Sequence, residues 1–234
     1  MQYLMLVRVD HELAGSEIVP VESWIEEAER RGARLHGGPL EEAETATTVR
    51  REAGTTLLAD GPFTETKEIV AGYDLLELPD LEAAIDLATR HPVAAVGALE
   101  VREVWDDFVA EREAPQPPSA VDGTTYLFLH VPDAWRPGDS TEGADPTAWV
   151  RDVEDRGVTL GGWRLRDADP ATSAVIRVRD GETLVSRGPF TETAEQIAGV
   201  DRIRVPDLDE AIALAAAHPT SGHGRIEVRP LLPA

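Results

Sequence analysis

Asp60, Glu65, Lys67 and Glu68 crowd around the turn Gly61-Pro62-Phe63. A carboxylate beside a lysine is an arrangement in which a nearby cation tunes a general base. Asp60 is the candidate base, and His91, directly before Pro92, is the candidate proton shuttle, because an imidazole titrates close to neutrality. Each also has a structural reading. A histidine followed by proline is a routine helix-end signal, and Gly-Pro-Phe is an ordinary turn with Phe63 as a buried anchor. A second group, Tyr73, Glu100, Arg102 and Arg229, combines a phenol and guanidinium groups on strands of apolar character, which suits a small organic anion or a hydroxylated aromatic. Paired across an interface, the same charges would instead be structural.

Other chemistries find less support. The chain has no cysteine, and its six histidines (His11, His36, His91, His130, His218 and His223) show no ligand spacing, so no metal site is expected. Neither a phosphate-binding nor a dinucleotide-binding glycine motif is present, and no cofactor is expected. The net charge of -22 repels phosphate backbones and anionic lipid surfaces, which argues against nucleic-acid and membrane partners. With no long apolar run and no signal-like start, the expectation is a cytoplasmic protein.

The elements that must position these residues come in two copies. Gly61-Pro62-Phe63-Thr64-Glu65-Thr66 recurs as Gly188-Pro189-Phe190-Thr191-Glu192-Thr193, and the ungapped match from Gly61 to Arg102 gives 23 identities in 42 pairs. Residues 1–112 form copy one, the proline-rich stretch 113–122 a linker, and residues 123–234 a more divergent copy two. Within copy one, alternation and breaker residues predict a strand at Tyr3–Val9 and a helix after Pro20 whose stripe is Trp24, Ile25 and Ala28. A hairpin follows around Glu52-Ala53-Gly54, then a strand at Tyr73–Leu78, a helix with Leu81, Ala84, Ile85 and Ala88 on one face, and a last strand at Ala98–Trp105. Gly37-Gly38 and Gly161-Gly162 read as the bends after the second strands.

The order β-α-β, hairpin, β-α-β is that of an α+β, ferredoxin-like domain, with two helices on one sheet face and none on the other. Along the last strand Leu99 and Val101 should meet the helices, leaving Glu100 and Arg102 on the bare face with Tyr73 and Leu75. That half-apolar face needs a cover, and the second copy is held close by the linker. The expectation is an intrachain pseudo-dimer with its sheets face to face, in which Glu77 or Glu100 meets Arg202, Arg204 or Arg229.

Asp60-Gly61-Pro62-Phe63-Thr64-Glu65-Thr66-Lys67-Glu68, with Gly72-Tyr73, His91-Pro92, Ala46–Arg50 and Glu100-Val101-Arg102, resembles the DGPF-type, YCII-related family over nearly all of both copies. The resemblance implies a ferredoxin-like domain of the dimeric α/β-barrel group, a histidine–aspartate pair as active site, relatives that include a dehydrochlorinase and muconolactone isomerases, and for some members a link to extracytoplasmic-function sigma factors. Neither first helix of this chain carries a histidine, and Asp60, Lys67 and Tyr73 become Arg187, Ala194 and Val200 in copy two. Copy one is therefore expected to hold any consensus-like site. With no complete catalytic constellation, the sequence favours a small-molecule-binding or regulatory module. The alternative is an acid–base enzyme of the lyase or isomerase type acting in the inter-sheet cleft.

Overall fold

The computed structural model describes residues 1–10, 20–62, 68–105, 121–133, 145–167, 169–188, 190 and 196–233. Phe63, Glu65, Lys67 and most of the linker lie outside this set. Copy one runs β1 (Gln2–Asp10), α1 (Glu22–Arg30), β2 (Arg34–Pro39), β3 (Thr47–Glu52), β4 (Thr55–Asp60), β5 (Glu68–Glu77), α2 (Leu81–Thr89) and β6 (Ala98–Glu103). Copy two repeats it as β7 (Thr124–Pro132), α3 (Thr147–Asp155), β8 (Thr159–Arg164), β9 (Ser173–Arg179), β10 (Glu182–Arg187), β11 (Gly199–Val205), α4 (Leu208–Ala217) and β12 (Gly224–Pro230). None of the described helices is long and apolar enough to cross a membrane.

Local signals account for the helices. Asp80 and Asp207 accept hydrogen bonds from the backbone N–H groups of Ala83 and Glu210, at 2.8 and 3.0 Å, and so begin α2 and α4. Trp24 and Trp149 anchor α1 and α3. Each donates its indole N–H to a carbonyl of the neighbouring helix, Leu87 at 3.1 Å and Leu214 at 3.0 Å. The glycine pairs, expected as bends, lie inside β2 and β8 instead. Gly37 must stay small because a Cβ there would sit 2.2 Å from a carboxylate oxygen of Asp74, so the edge strand can close over that residue only without a side chain.

Each copy supplies four strands in ferredoxin order, β6-β1-β5-β2 and β12-β7-β11-β8, all antiparallel. The hairpins do not stay at home. Strands β9 and β10 of copy two extend the copy-one sheet by pairing β9 with β6, and β3 and β4 of copy one extend the other sheet by pairing β3 with β12. Two six-stranded sheets result, each completed by the opposite copy.

Three apolar layers follow from the pleat. Tyr3, Met5, Leu76, Leu99 and Val101 meet α1 and α2, joined there by Ala174 and Ile176 from the visiting hairpin. Phe128, Ile203, Ile226 and Val228 meet α3 and α4, joined by Val49. Between the sheets lie Leu4, Leu6, Tyr73 and Leu75 of copy one against Leu127, Leu129, Val131 and Val200 of copy two. The sheets therefore pack face to face, as the patterning of β5 and β6 predicts.

At two corners the sheets join through backbone. Leu40 bridges Leu231, and Val104 bridges Leu165. The four home strands of each copy thus close on those of the other. Two buried arginines fasten these corners. Arg102 donates to the carbonyls of Arg166 (2.8 Å) and Ile197 (3.3 Å), and Arg229 donates to those of Val70 (3.3 Å) and Glu41. Their charges are met within their own copies, by Glu100 at 3.5 Å and Glu227 at 3.0 Å. The expected ion pairs between copies are replaced by arginine-to-carbonyl bonds, because each guanidinium has its own-strand glutamate two residues away. Glu77 is exposed, and Arg204 donates to the Gly123 carbonyl.

Arg229→Met should therefore lower unfolding free energy by about 3–5 kcal/mol, the usual cost of breaking a buried, hydrogen-bonded ion pair. Urea denaturation followed by circular dichroism measures it. A loss below about 1 kcal/mol, typical of a surface pair, would contradict the fastening role.

Candidate functional site

The expected base and shuttle are not brought together. Asp60 ends the exposed edge strand β4 in the copy-two sheet, whereas His91 is buried beneath the helices of the copy-one sheet. His91 Nδ1 accepts the backbone N–H of Val93 at 3.2 Å, capping a short 3-10 turn, and its ring stands edge-on to Trp24 at 4.5 Å. Burial, helped by the Arg34 charge, holds its pKa down to about 4. It is a neutral capping acceptor rather than a helix-end cation, a role the residue order alone did not suggest.

The expected ligand-binding set divides. Glu100, Arg102 and Arg229 spend their polar atoms on the corners. Glu100 also takes both nitrogens Nε and Nη2 of Arg8, at 3.0 and 2.7 Å, and accepts the backbone N–H of Phe190 at 3.4 Å. Arg8 in turn lies 4.3 Å from the Phe190 ring centre, so the phenylalanine of the copy-two turn docks on a buried ion pair of copy one. The recess beside Arg102, lined by Leu165, Arg166, Gln196, Ile197 and Ala198, is too tight to admit a water molecule.

Tyr73 stands apart from these. Its hydroxyl is 3.4 Å from His36 Nδ1, and the His36 ring lies 4.8 Å from that of Trp163 in copy two. Arg202 of copy two faces both: its charge acts on His36 and on Tyr73. Burial holds His36 down to about 3, with Arg202 and Arg34 adding to the effect. Burial also pushes the Tyr73 phenol up to about 12 against the pull of Arg202. At neutral pH this inter-copy cluster holds a neutral imidazole and a protonated phenol beside a guanidinium.

A further cluster escapes sequence reading because three separate elements build it. His130 on β7, Asp201 on β11 and His218 after α4 converge on the helix side of the copy-two sheet. His130 Nε2 is 3.0 Å and His218 Nε2 4.0 Å from the same oxygen of Asp201, and the two rings are 4.4 Å apart. His218 Nδ1 accepts the backbone N–H of Thr220 at 3.1 Å, so its ring proton sits on Nε2, toward Asp201. Burial holds His218 down to about 3, the neighbouring His130 adding and Asp201 opposing. His130 is the partly exposed member.

Copy one shows what is special here. Asp74 occupies the position of Asp201, but Arg34 binds it at 2.6 Å, and Val7 stands where copy two has His130. Burial raises Asp74 to about 6 despite that arginine. Copy two replaces Arg34 with Thr159. The row across the sheet differs too. Gly199 pairs with His130 on one side and Arg164 on the other, while the matching Gly72 pairs with Val7 and Pro39. A Cβ on Gly199 would lie 3.6 Å from His130 Nδ1, so the glycine leaves that nitrogen uncovered by a side chain of its own. Arg164 and His130 share one sheet face, with Cα atoms roughly 10 Å apart at two strand spacings, and Arg164 lies over Trp105 at 5.0 Å.

Among the described residues, His130, Asp201 and His218 also form a group whose ligand-type atoms lie within 4.8 Å of one another, which no histidine spacing announced. His218 fits a metal poorly. With Nδ1 accepting from Thr220, its inward nitrogen bears the proton and offers no lone pair. The donor set is better suited to holding and moving a proton.

A family model described as YCII-related domain matches residues 2–107 and again 131–234. An uncharacterised protein of Rhizobium meliloti (strain 1021) is 42% identical over 59 residues, 24% of this chain and 48% of that protein. The chain thus spans about half the length of the curated relative it matches.

His91 carries a folded-state pKa near 4 against an ordinary 6.5, so the unfolded chain binds the extra proton between those values and acid favours unfolding. Stability contributed by this neutral histidine is complete above pH 6.5 and declines as pH falls toward 4. Asp74, raised to about 6 from 3.8, works in the opposite sense between those two values. His91→Asn keeps a capping acceptor and removes the titration. Its stability should fall less steeply with acid, by about 1.4 kcal/mol per pH unit between pH 6 and 4.5. Denaturant titrations at several pH values read the slope, and parallel slopes for both proteins would refute the assignment.

Proposed function

Since the chain belongs to the YCII-related family, with two family domains in one polypeptide, we propose that it is a proton-transfer protein of the isomerase or lyase type whose working centre lies in copy two. The observation that carries this reading is the convergence of His130 and Asp201 at 3.0 Å, backed by His218, where copy one keeps the matching histidine, His91, but has valine in place of His130 and an arginine-bound carboxylate. Asp201, its carboxylate 3.0 Å from His130 Nε2, offsets the charge the imidazole gains; His130 Nδ1, on the Gly199 side, is the base. It takes a proton from carbon next to a carbonyl, the electron pair passes to the carbonyl oxygen as an enolate, and Arg164 in the same row offsets that charge. Return of the proton to another carbon gives isomerisation, and loss of a leaving group gives elimination. Base, orienter and stabiliser are then all supplied by copy two, not by the expected pair Asp60 and His91.

A second reading, a binding module without turnover, is favoured by the inter-copy cluster of Tyr73, His36 and Arg202, where a protonated phenol and a neutral imidazole face a guanidinium.

Proton exchange separates them. In D2O, small keto and hydroxy acids incubated with the protein should exchange C–H protons faster than in buffer, followed by proton NMR. His130→Gln and Asp201→Asn should each slow this by about 100- to 10,000-fold, the range attributed to a positioned general base. A panel exchanging no faster than in buffer, or exchange indifferent to His130→Gln, would leave the binding module as the better account.

A further inference from the structure

Arg202 is in an unusual position for a protein of net charge -22. It projects from β11 into the space between the sheets, where its counterpart in copy one is Leu75, a buried member of the inter-sheet apolar layer. Its Nε is shielded from solvent and has no hydrogen-bond partner, and the guanidinium forms no ion pair among the described residues. The other inter-sheet arginines, Arg8, Arg102 and Arg229, each have a glutamate: Glu100 for the first two, Glu227 for the third. Arg202 is half-buried, so its charge still reaches solvent, and a fold that could use leucine here, as copy one does, has no packing need for an unpaired cation.

The surroundings are those of a binding site. Tyr73 and His36 of copy one and Trp163 of copy two stand around this arginine, and their rings meet at 5.8 Å (His36 to Tyr73) and 4.8 Å (His36 to Trp163). The strand beside each polar group offers a glycine. Gly38 pairs with Tyr73, and Gly161 pairs with Arg202. Gly161 is required by the Trp163 ring, which lies where a Cβ would be, 2.5 Å away, so the indole folds back beside the guanidinium. Both copies contribute walls, and neither copy alone contains the set. The phenol offers an O–H donor, the guanidinium offers charge and a planar fork, and three rings offer flat apolar faces.

We propose that this inter-copy cluster is a binding site for a small aromatic carboxylate, with Arg202 pairing the carboxylate, Tyr73 donating its hydroxyl to it, and the contacting rings of Trp163 and His36 forming one wall for the ligand ring to lie against. The site lies on the opposite sheet face from His130 and does not depend on proton transfer there.

The closing test uses the whole chain, benzoate as the probe and benzyl alcohol as its uncharged counterpart. Calorimetric titration should give saturable benzoate binding at one site, with a shift of the Trp163 indole N–H resonance, and no binding of benzyl alcohol. Arg202→Leu, which installs the residue copy one already carries, should weaken benzoate by at least about tenfold without lowering the unfolding midpoint. Arg202→Lys, which keeps the charge without the fork, should fall between the two, and His130→Gln should leave binding unchanged. Benzoate binding that survives Arg202→Leu, equal binding of the alcohol, or no saturable binding at millimolar probe would each overturn the proposal. So would unfolding of the leucine variant, since that would make the arginine a structural residue.

Discussion

Each sheet of this molecule is completed by a hairpin that belongs to the other copy, and every other feature of the fold depends on that exchange. Once β3 and β4 have crossed to β12, and β9 and β10 to β6, the two sheets cannot separate without breaking backbone ladders at both edges. Face-to-face burial of the leucine and valine layer then follows, and with it the corner bridges at Leu40 and Val104. The linker keeps the exchange intramolecular, replacing the concentration dependence of a swapped dimer with a fixed high effective concentration. Arg102 and Arg229 are best understood in this light. Both sit at the corners, where each buried guanidinium donates to two backbone carbonyls of the other copy at once.

Duplication inside one polypeptide also frees the two halves to diverge. A symmetric dimer must place the same side chain at both equivalent positions, whereas a tandem chain need not. The position filled by Val7 in copy one is His130 in copy two, Arg34 becomes Thr159, and Leu75 becomes Arg202. All three changes act near one strand, β11, whose two faces thereby acquire different chemistry: Asp201 with its histidines toward the helices, and Arg202 with Tyr73 toward the other sheet. Copy one keeps the matching carboxylate, Asp74, but binds it to an arginine. A permanently charged guanidinium closes that carboxylate to proton chemistry, while an imidazole leaves it open. The proposed centre therefore lies in copy two rather than in copy one, whose sequence is closer to the family pattern.

The Gly-Pro-Phe turn, which carries the family resemblance, takes a structural part in copy two. Phe190 sits against Arg8, and its backbone N–H meets Glu100 of the opposite copy. A motif that fastens the hairpin's return across the interface needs a turn, an aromatic ring and little else.

The duplication, the ferredoxin order and the facing of β6 were all legible in the residues, because each is set by repetition or by neighbours within a few positions: periodicity and breakers. Tyr73 and Arg202 could likewise be placed on the bare face by alternation alone. What the chain order could not reveal is which strand lies beside which once two equivalent sheets are available, since a hairpin pairs equally well by pattern with its own β6 or the other copy's β12. That choice decided that Glu100 and Arg102 would be fasteners, and convergence across the sheet decided that His130, Asp201 and His218 would meet. Sequence separations of 71 residues (His130 to Asp201) and 17 (Asp201 to His218) match no ligand or catalytic spacing; only the register of strands and the end of a helix, fixed by tertiary packing, brings such groups within reach of one proton.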